Sequence, residues 1–176
     1  MTRDWNELHE AEDPAVELLI KGLGYTYIAP EVLEKERERQ GGLGEPLLRG
    51  RLAAALRRLN PWLDDEGVAS AIRMIAPATA ASLIEVNRTI HGDLTTGVSV
   101  LADRGDGRRN HQVRFFDFSR TPEGVAANEW LVTRQFRLKG GRNEIIPDLV
   151  VFVNGIPLAV IECKSPAITG PVEAAI

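Results

Sequence analysis

An α/β or α+β domain is predicted by three observations. Apolar residues at helical spacing crowd the first half, runs of Val, Ile and Phe of strand length fill the second, and turn sequences such as GDG, TPEG and KGG separate those runs. Residues 1–92 read as mainly helical and 93–176 as mainly strand. The expected architecture is a central mixed or largely antiparallel β-sheet packed against helices, with an N-terminal helical portion. A chain of 176 residues with 44% apolar content buries a core of ordinary size, so 1–176 is read as one domain.

The elements follow in order. Asp13 caps and Pro14 opens a helix whose apolar face is Val16, Leu19, Ile20 and Leu23, closed by Gly24. The charged segment EVLEKERERQGGLGEP reads as solvated or loop-like. A second helix is expected from Pro46 to Leu59, with Leu48, Leu52, Ala55 and Leu59 inward and Arg49, Arg51, Arg57 and Arg58 around the rest. Two more are expected over Asp65 to Ile75 and Thr79 to Ile90, the latter ending near Gly92. Strands are expected over Val98 to Ala102, Gln112 to Phe118, Trp130 to Leu138, Ile145 to Val153 and Ile156 to Cys163. The final GPVEAAI looks like a helix start, which suggests a piece of a longer chain.

Composition narrows the function classes. Cys163 is the single cysteine, so neither an internal disulfide framework nor a cysteine zinc site can form, which favours a reducing, cytoplasmic setting. His9, His91 and His111 are scattered without ligand spacing and read as surface or helix-end residues. No apolar run approaches the roughly 20 residues that span a bilayer, so no membrane role is expected. The net charge of -4 argues against binding a polyanion by overall charge alone.

The chemistry concentrates in IIPDLVVFVNGIPLAVIECKS, 145–165. Strand alternation there makes both faces of 149–153 apolar, and the same reading applies to 158–161, so both strands read as buried. Asp148, Glu162 and Lys164 then stand where the strands run out. Their convergence depends on register. A plain two-residue Asn154-Gly155 hairpin sets Asp148 opposite Ile161 and turns Glu162 to the other face. An odd-residue irregularity, either a three-residue loop or a bulge near Pro157, brings the two acids to one face, with Cα atoms roughly 7–8 Å apart in the three-residue case. Such an irregularity is predicted. Two neighbouring carboxylates repel unless a cation lies between them, and Mg²⁺ suits hard oxygen ligands. With Lys164 the set fits phosphodiester hydrolysis, in which the metal activates water and the ammonium offsets phosphate charge. The alternative is a structural ion pair between Glu162 and Lys164 at a strand end.

These residues carry a resemblance. IIPDLVVFVNGIPLAVIECKSP resembles the Pro-Asp to Glu-x-Lys core of the PD-(D/E)xK nuclease superfamily. With GLGYTYI, NRTIHGDLTTGVSV and FFDFSRTPEGVAANEWLVTRQF, the chain resembles the N-terminal nuclease domain of the restriction (motor) subunit of Type I restriction-modification enzymes. The resemblance implies a restriction-endonuclease-like core. It implies Asp148 and Glu162 as metal ligands with the Cys163 carbonyl, Lys164 as the catalytic lysine, and one of Glu12, Asp13 or Glu17 as a further ligand. Mg²⁺, or Mn²⁺, is the implied cofactor. Double-stranded DNA and the methylation and specificity subunits are the implied partners. The family's Gln-x-x-x-Tyr helix does not occur in this sequence, nor does a G-x-x-x-x-G-K-[ST] loop, so ATP belongs to translocase domains outside it.

Arg134, Arg137, Lys139 and Arg142, near Asp148 in sequence, are the candidate phosphate contacts. Cys163 alternates away from Glu162 and reads as a buried structural residue. A stand-alone repair or junction nuclease of the same superfamily, and a catalytically silent DNA-binding or interaction module on the same fold, are the alternatives.

Overall fold

The computed structural model describes residues 11–76, 82–104, 107–119, 121, 127–140 and 143–164. It is a mixed α/β structure, compatible with a restriction-endonuclease-like fold, and it divides into two compact units. One comprises the segments up to Leu48 and from Trp130, the other Arg49–Glu129.

The first unit is built on a four-stranded mixed sheet. Its strands are β1 (Thr26–Tyr27), β4 (Trp130–Arg134), β7 (Leu149–Val153) and β8 (Ile156–Ile161), in the order β1-β4-β7-β8. β1 runs parallel to β4, whereas β4–β7 and β7–β8 are antiparallel. A short ribbon of β5 (Leu138–Gly140) and β6 (Asn143–Ile145) lies in the same unit. Every residue of β7 is buried, as its two-faced apolar run requires. Leu149, Val151 and Val132 pack with Val16 and Leu19 from the first helical segment, and Cys163 joins this cluster as a buried residue. Val150, Phe152, Leu131 and Phe136 pack on the opposite face with Leu33 and Leu48. Each such side chain taken out of water stabilises by about 1.5–3 kcal/mol.

That first helical segment is α1 (Asp13–Glu17), continued by a π-helical turn over Leu18–Gly22 and followed by Gly24 at φ 75. Asp13 lies inside the first turn, and the N-cap is Glu12, with no side-chain cap bond. The Asp13 carboxylate is instead drawn to Arg134, because a charge-assisted bond outcompetes a neutral cap.

The charged segment expected as a loop contains a helix, α2 (Pro30–Glu38). Pro30 opens it, and its inward face is Leu33 and Arg37, four residues apart. An arginine on the core side hid the helical period. Fully buried, Arg37 donates to the carbonyls of Glu45 (3.0 Å), Arg137 (2.8 Å) and Leu43 (2.7 Å), and its guanidinium lies 4.1 Å from the Phe136 ring centroid. Burial pulls its pKa below the ordinary guanidinium value, opposed by the carboxylates of Glu34 and Glu45. Phe136 meets Phe152 edge-on at 5.0 Å, so the arginine ties the 39–48 loop to the sheet.

Between β7 and β8, Asn154 and Gly155 form a two-residue turn at φ 53 and 81, the signs of a type I′ turn. The Gly155 carbonyl accepts the N–H of Leu48 at 2.9 Å. Val153 pairs with Ile156 and Phe152 with Pro157; the register then shifts, and Val151 pairs with Ala159, Val150 with Val160 and Leu149 with Ile161. Leu158 is the extra residue of a bulge. The predicted irregularity is therefore present as a bulge, not as a three-residue loop, because Asn-Gly suits two positive φ angles. The expectation that 158–161 is buried on both faces is not met. Among the described residues β8 stands at the edge of the sheet, with Leu158 50% and Val160 60% exposed, since an apolar run does not report whether a second strand or layer covers it.

The second unit holds α3 (Arg49–Leu59), α4 (Asp65–Ile75), α5 (Leu83–Thr96) and the hairpin β2 (Val98–Asp103) with β3 (Arg108–Val113). α3 begins at Arg49, three residues later than read from Pro46, and buries Leu52, Ala55, Leu56 and Leu59. α4 has the expected bounds, with the Asp64 side chain accepting the N–H of Gly67 at 2.8 Å. α5 passes through Gly92 to Thr96, while Thr79 lies outside the described residues. The Ser82 hydroxyl accepts from the N–H of Glu85, a cap the apolar pattern had not located. β3 ends at Val113 and shares only Gln112 and Val113 with the strand expected over Gln112 to Phe118, because the polar run RRNHQV pairs with β2. Buried Asn60 explains the exit: its amide exchanges bonds with the N–H and C=O of Arg114 at 2.9 and 2.8 Å. Asn128 clasps Asp117 in the same way, at 3.0 and 2.8 Å. Among the described residues no helix is long and apolar enough to cross a membrane.

Arg37→Ala is expected to destabilise by about 3 kcal/mol or more, since three buried carbonyls lose a charged donor; chemical denaturation checks this. At Gly97, φ is 83 and an added Cβ would stand 2.3 Å from the Val113 carbonyl oxygen. Gly97→Ala is expected to cost about 1–3 kcal/mol in the same assay.

Candidate metal and phosphate site

The candidate residues stand at one end of the β7–β8 pair. Leu149 opposite Ile161 is the last pair of the ladder, and one step further the same register sets Asp148 opposite Glu162. The bulge at Leu158 produces this alignment. Without it, Asp148 would face Ile161.

Asp148 is half-buried and held at three points. Its carbonyl accepts the backbone N–H of Gln135 at 2.9 Å. Its Oδ2 accepts the backbone N–H of Cys163 at 2.7 Å, and its Oδ1 lies 3.5 Å from the Gln135 amide nitrogen. The Cys163 bond ties the carboxylate to the far strand, between Glu162 and Lys164 in sequence. Glu162 is exposed and Lys164 half-buried, whereas Cys163 turns into the core with Leu149 and Val151. Acid and lysine are thus presented at the surface while the intervening thiol anchors the strand.

The N-terminal acids behave differently. Glu12 is buried, Asp13 pairs with Arg134, and Glu17 pairs with Lys21 on the exposed side of the helical segment. Among the described residues no three His, Cys, Asp or Glu side chains gather as a metal-holding group, so none of these acids forms such a cluster with Asp148 and Glu162. The groups at this end of the strand pair that could hold a cation are the carboxylates of Asp148 and Glu162 and the backbone carbonyl of Cys163. Mg²⁺ accepts such a set, because it keeps several waters.

The candidate phosphate contacts are engaged within the protein. Arg134 is bound to Asp13, Arg137 lies 3.6 Å from Glu34 and 3.5 Å from Glu144, and Lys139 lies 3.9 Å from Glu144. Arg142 lies outside the described residues. In α3, Arg51 pairs with Glu129 at 2.7 Å and Arg57 with Asp65 at 2.6 Å, and Arg58 donates to the Ala127 carbonyl at 2.7 Å. His91 is exposed; the ring centroid of half-buried His111 lies 5.3 Å from that of Trp62; His9 lies outside the described residues. Sequence reasoning missed Gln135, although it lies within the FFDFSRTPEGVAANEWLVTRQF segment that carries the resemblance. Its contact with Asp148 depends on β4 pairing with β7, which no local pattern announces.

Comparison with known proteins bears on the whole chain. Residues 4–176 match the family model described as the Type I restriction enzyme R protein N terminus. The chain is 31% identical over 170 residues, 92% of its length, to the type I restriction enzyme MjaIXP endonuclease subunit of Methanocaldococcus jannaschii. It is 30% identical over 148 residues, 82% of its length, to the type I restriction enzyme HindI endonuclease subunit of Haemophilus influenzae. It spans 15% and 14% of those relatives' own lengths. With a matching family model over nearly its whole length and two such relatives, the chain belongs to the Type I restriction enzyme R protein N-terminal family.

Proposed function

We propose that this chain is the nuclease domain of a Type I restriction motor subunit, hydrolysing phosphodiester bonds of double-stranded DNA with a divalent metal. The observation that carries the reading is the bulged register that aligns Asp148 with Glu162, with one Asp148 oxygen held by the Cys163 N–H. Asp148, Glu162 and the Cys163 carbonyl would hold Mg²⁺ or Mn²⁺. When bound, the cation lowers the pKa of a water and offsets negative charge on the phosphate.

The chain's own residues do the rest. The Cys163 N–H orients the Asp148 carboxylate, and burial of the Cys163 side chain keeps Glu162 and Lys164 directed outward. Lys164 neutralises charge developing on the phosphate oxygens. Arg137 and Lys139 exchange their carboxylate partners for DNA phosphates. Translocation by ATP-driven domains and site choice by specificity and methylation subunits fit the far longer relatives, of which this chain corresponds to about a seventh.

The test is plasmid cleavage by the full-length subunit assembled with its partners, ATP and Mg²⁺. Asp148→Ala, Glu162→Ala and Lys164→Ala are each expected to lower cutting by about 10²–10⁴-fold, several kcal/mol at 1.36 kcal/mol per decade, with ATP hydrolysis retained. Undiminished cutting by Asp148→Ala and Lys164→Ala would sink the assignment.

Register supplies an independent check. Deleting Leu158 removes the extra residue but leaves Val151 opposite Ala159, so Glu162 stays aligned and Mn²⁺ binding by calorimetry is expected to persist. Inserting one Ala between Ala159 and Val160 brings Ile161 to Asp148 and turns Glu162 away. That variant is expected to lose Mn²⁺ binding; retained affinity would contradict the alignment.

A further inference from the structure

Gln135 stands in the left-handed region at φ 46, which a residue with a long side chain adopts only under constraint. The constraint is visible. β4 ends at Arg134, the Gln135 N–H still continues the β7 pairing by donating to the Asp148 carbonyl at 2.9 Å, and Phe136 then turns into the core against Phe152. The left-handed step reconciles these demands and leaves the Gln135 side chain exposed beside Asp148. There its amide nitrogen lies 3.5 Å from Oδ1, while Oδ2 takes the Cys163 N–H at 2.7 Å.

We propose that Gln135 is a positioning residue that, resting on the nuclease reading above, holds the Asp148 carboxylate at the rotation in which it receives a divalent cation. The single Cys163 N–H on Oδ2 restrains rotation about Cβ–Cγ only within the tolerance of one hydrogen bond. The Gln135 amide, 3.5 Å from the other oxygen, adds a second restraint on that rotation. Two carboxylate oxygens offer about four lone-pair sites, so two donors leave acceptor capacity on both. Hydrogen-bonding of a ligand carboxylate by a neighbour that does not touch the cation fixes its orientation and commonly alters metal affinity by about 10–100-fold. Glycine would accept φ 46 more readily than glutamine, and the backbone bond needs no side chain. Backbone requirements alone therefore do not account for an amide here.

The inference is tested with Gln135→Gly and Gln135→Asn in the full-length subunit. Glycine keeps the left-handed backbone and removes the amide; asparagine also tolerates that region but withdraws the amide by one methylene. Thermal unfolding is expected to be unchanged or slightly raised for both. Mn²⁺ affinity measured by calorimetry is expected to fall about tenfold in Gln135→Gly. Plasmid cleavage should fall with it and recover partly at raised Mn²⁺, as a positioning defect predicts and a folding defect does not. Wild-type Mn²⁺ affinity in both variants, alongside loss of binding in Asp148→Ala, would overturn the role of Gln135 and leave the site reading standing. Wild-type affinity in Asp148→Ala itself would remove the site reading and this inference with it.

Discussion

The pairing register of β7 with β8 is the constraint on which the candidate site depends. Strand side chains alternate with a period of two, so shifting one strand by a single residue exchanges its faces. At the turn, Asn154 and Gly155 impose an even, type I′ connection that would leave Glu162 on the wrong side. Leu158 absorbs one residue three positions later, and from Ala159 onward every side chain of β8 is reassigned. Cys163 thereby enters the core with Leu149 and Val151, and its neighbours Glu162 and Lys164 do not. Burial of the thiol and outward presentation of the two charges are one consequence of one bulge. Pro157 fits beside it, because proline has no N–H to give a regular ladder and is tolerated at edges and bulges.

β7 supplies the rigidity this arrangement needs. Apolar on both faces and flanked by β4 and β8, it cannot slip without exposing Leu149 or Phe152, each fully buried. Its other face is closed by a less usual device, the Arg37 guanidinium lying over Phe136 and bonded to three carbonyls. A buried cation hydrogen-bonded to three carbonyls leaves little freedom to rearrange, since moving any one strands a charged donor. Phe136 is held from above by that arginine and from beside by Phe152, and Gln135 immediately precedes it. The strained backbone beside Asp148 is therefore set by packing one residue away.

How much of this was legible follows from which interactions are local. The Asp65–Ile75 helix, the buried β7 and the need for an odd residue near Pro157 could all be read, because each rests on periodicity or turn chemistry within a dozen residues. α2 could not be, because half of its inward face is Arg37, whose partners include the Arg137 carbonyl a hundred positions away. The exposure of Leu158 and Val160 was misread, since strand order alone decides which strand is the edge. At the site, Asp148, Glu162 and Lys164 stood out as charges in an apolar context. Gln135 did not, because an exposed polar residue after a strand has no signature until β4 is known to pair with β7.

On the proposed reading, the same distinction bears on how the domain would meet DNA. Arg134, Arg137 and Lys139 face carboxylates, and a phosphate must displace these to gain them. Exposed pairs are worth about 0–1 kcal/mol, so exchanging Glu144 for phosphate costs little. The gain is equally modest, and the net charge of -4 adds long-range repulsion that falls off within roughly 10 Å at 0.1 M salt. On the proposed reading the isolated domain therefore holds DNA weakly and relies on delivery by the larger assembly. On that same reading, weak intrinsic binding would suit a nuclease that must not cut before it is brought to its target, and charge pairing around the candidate site would serve the timing of cleavage more than its chemistry.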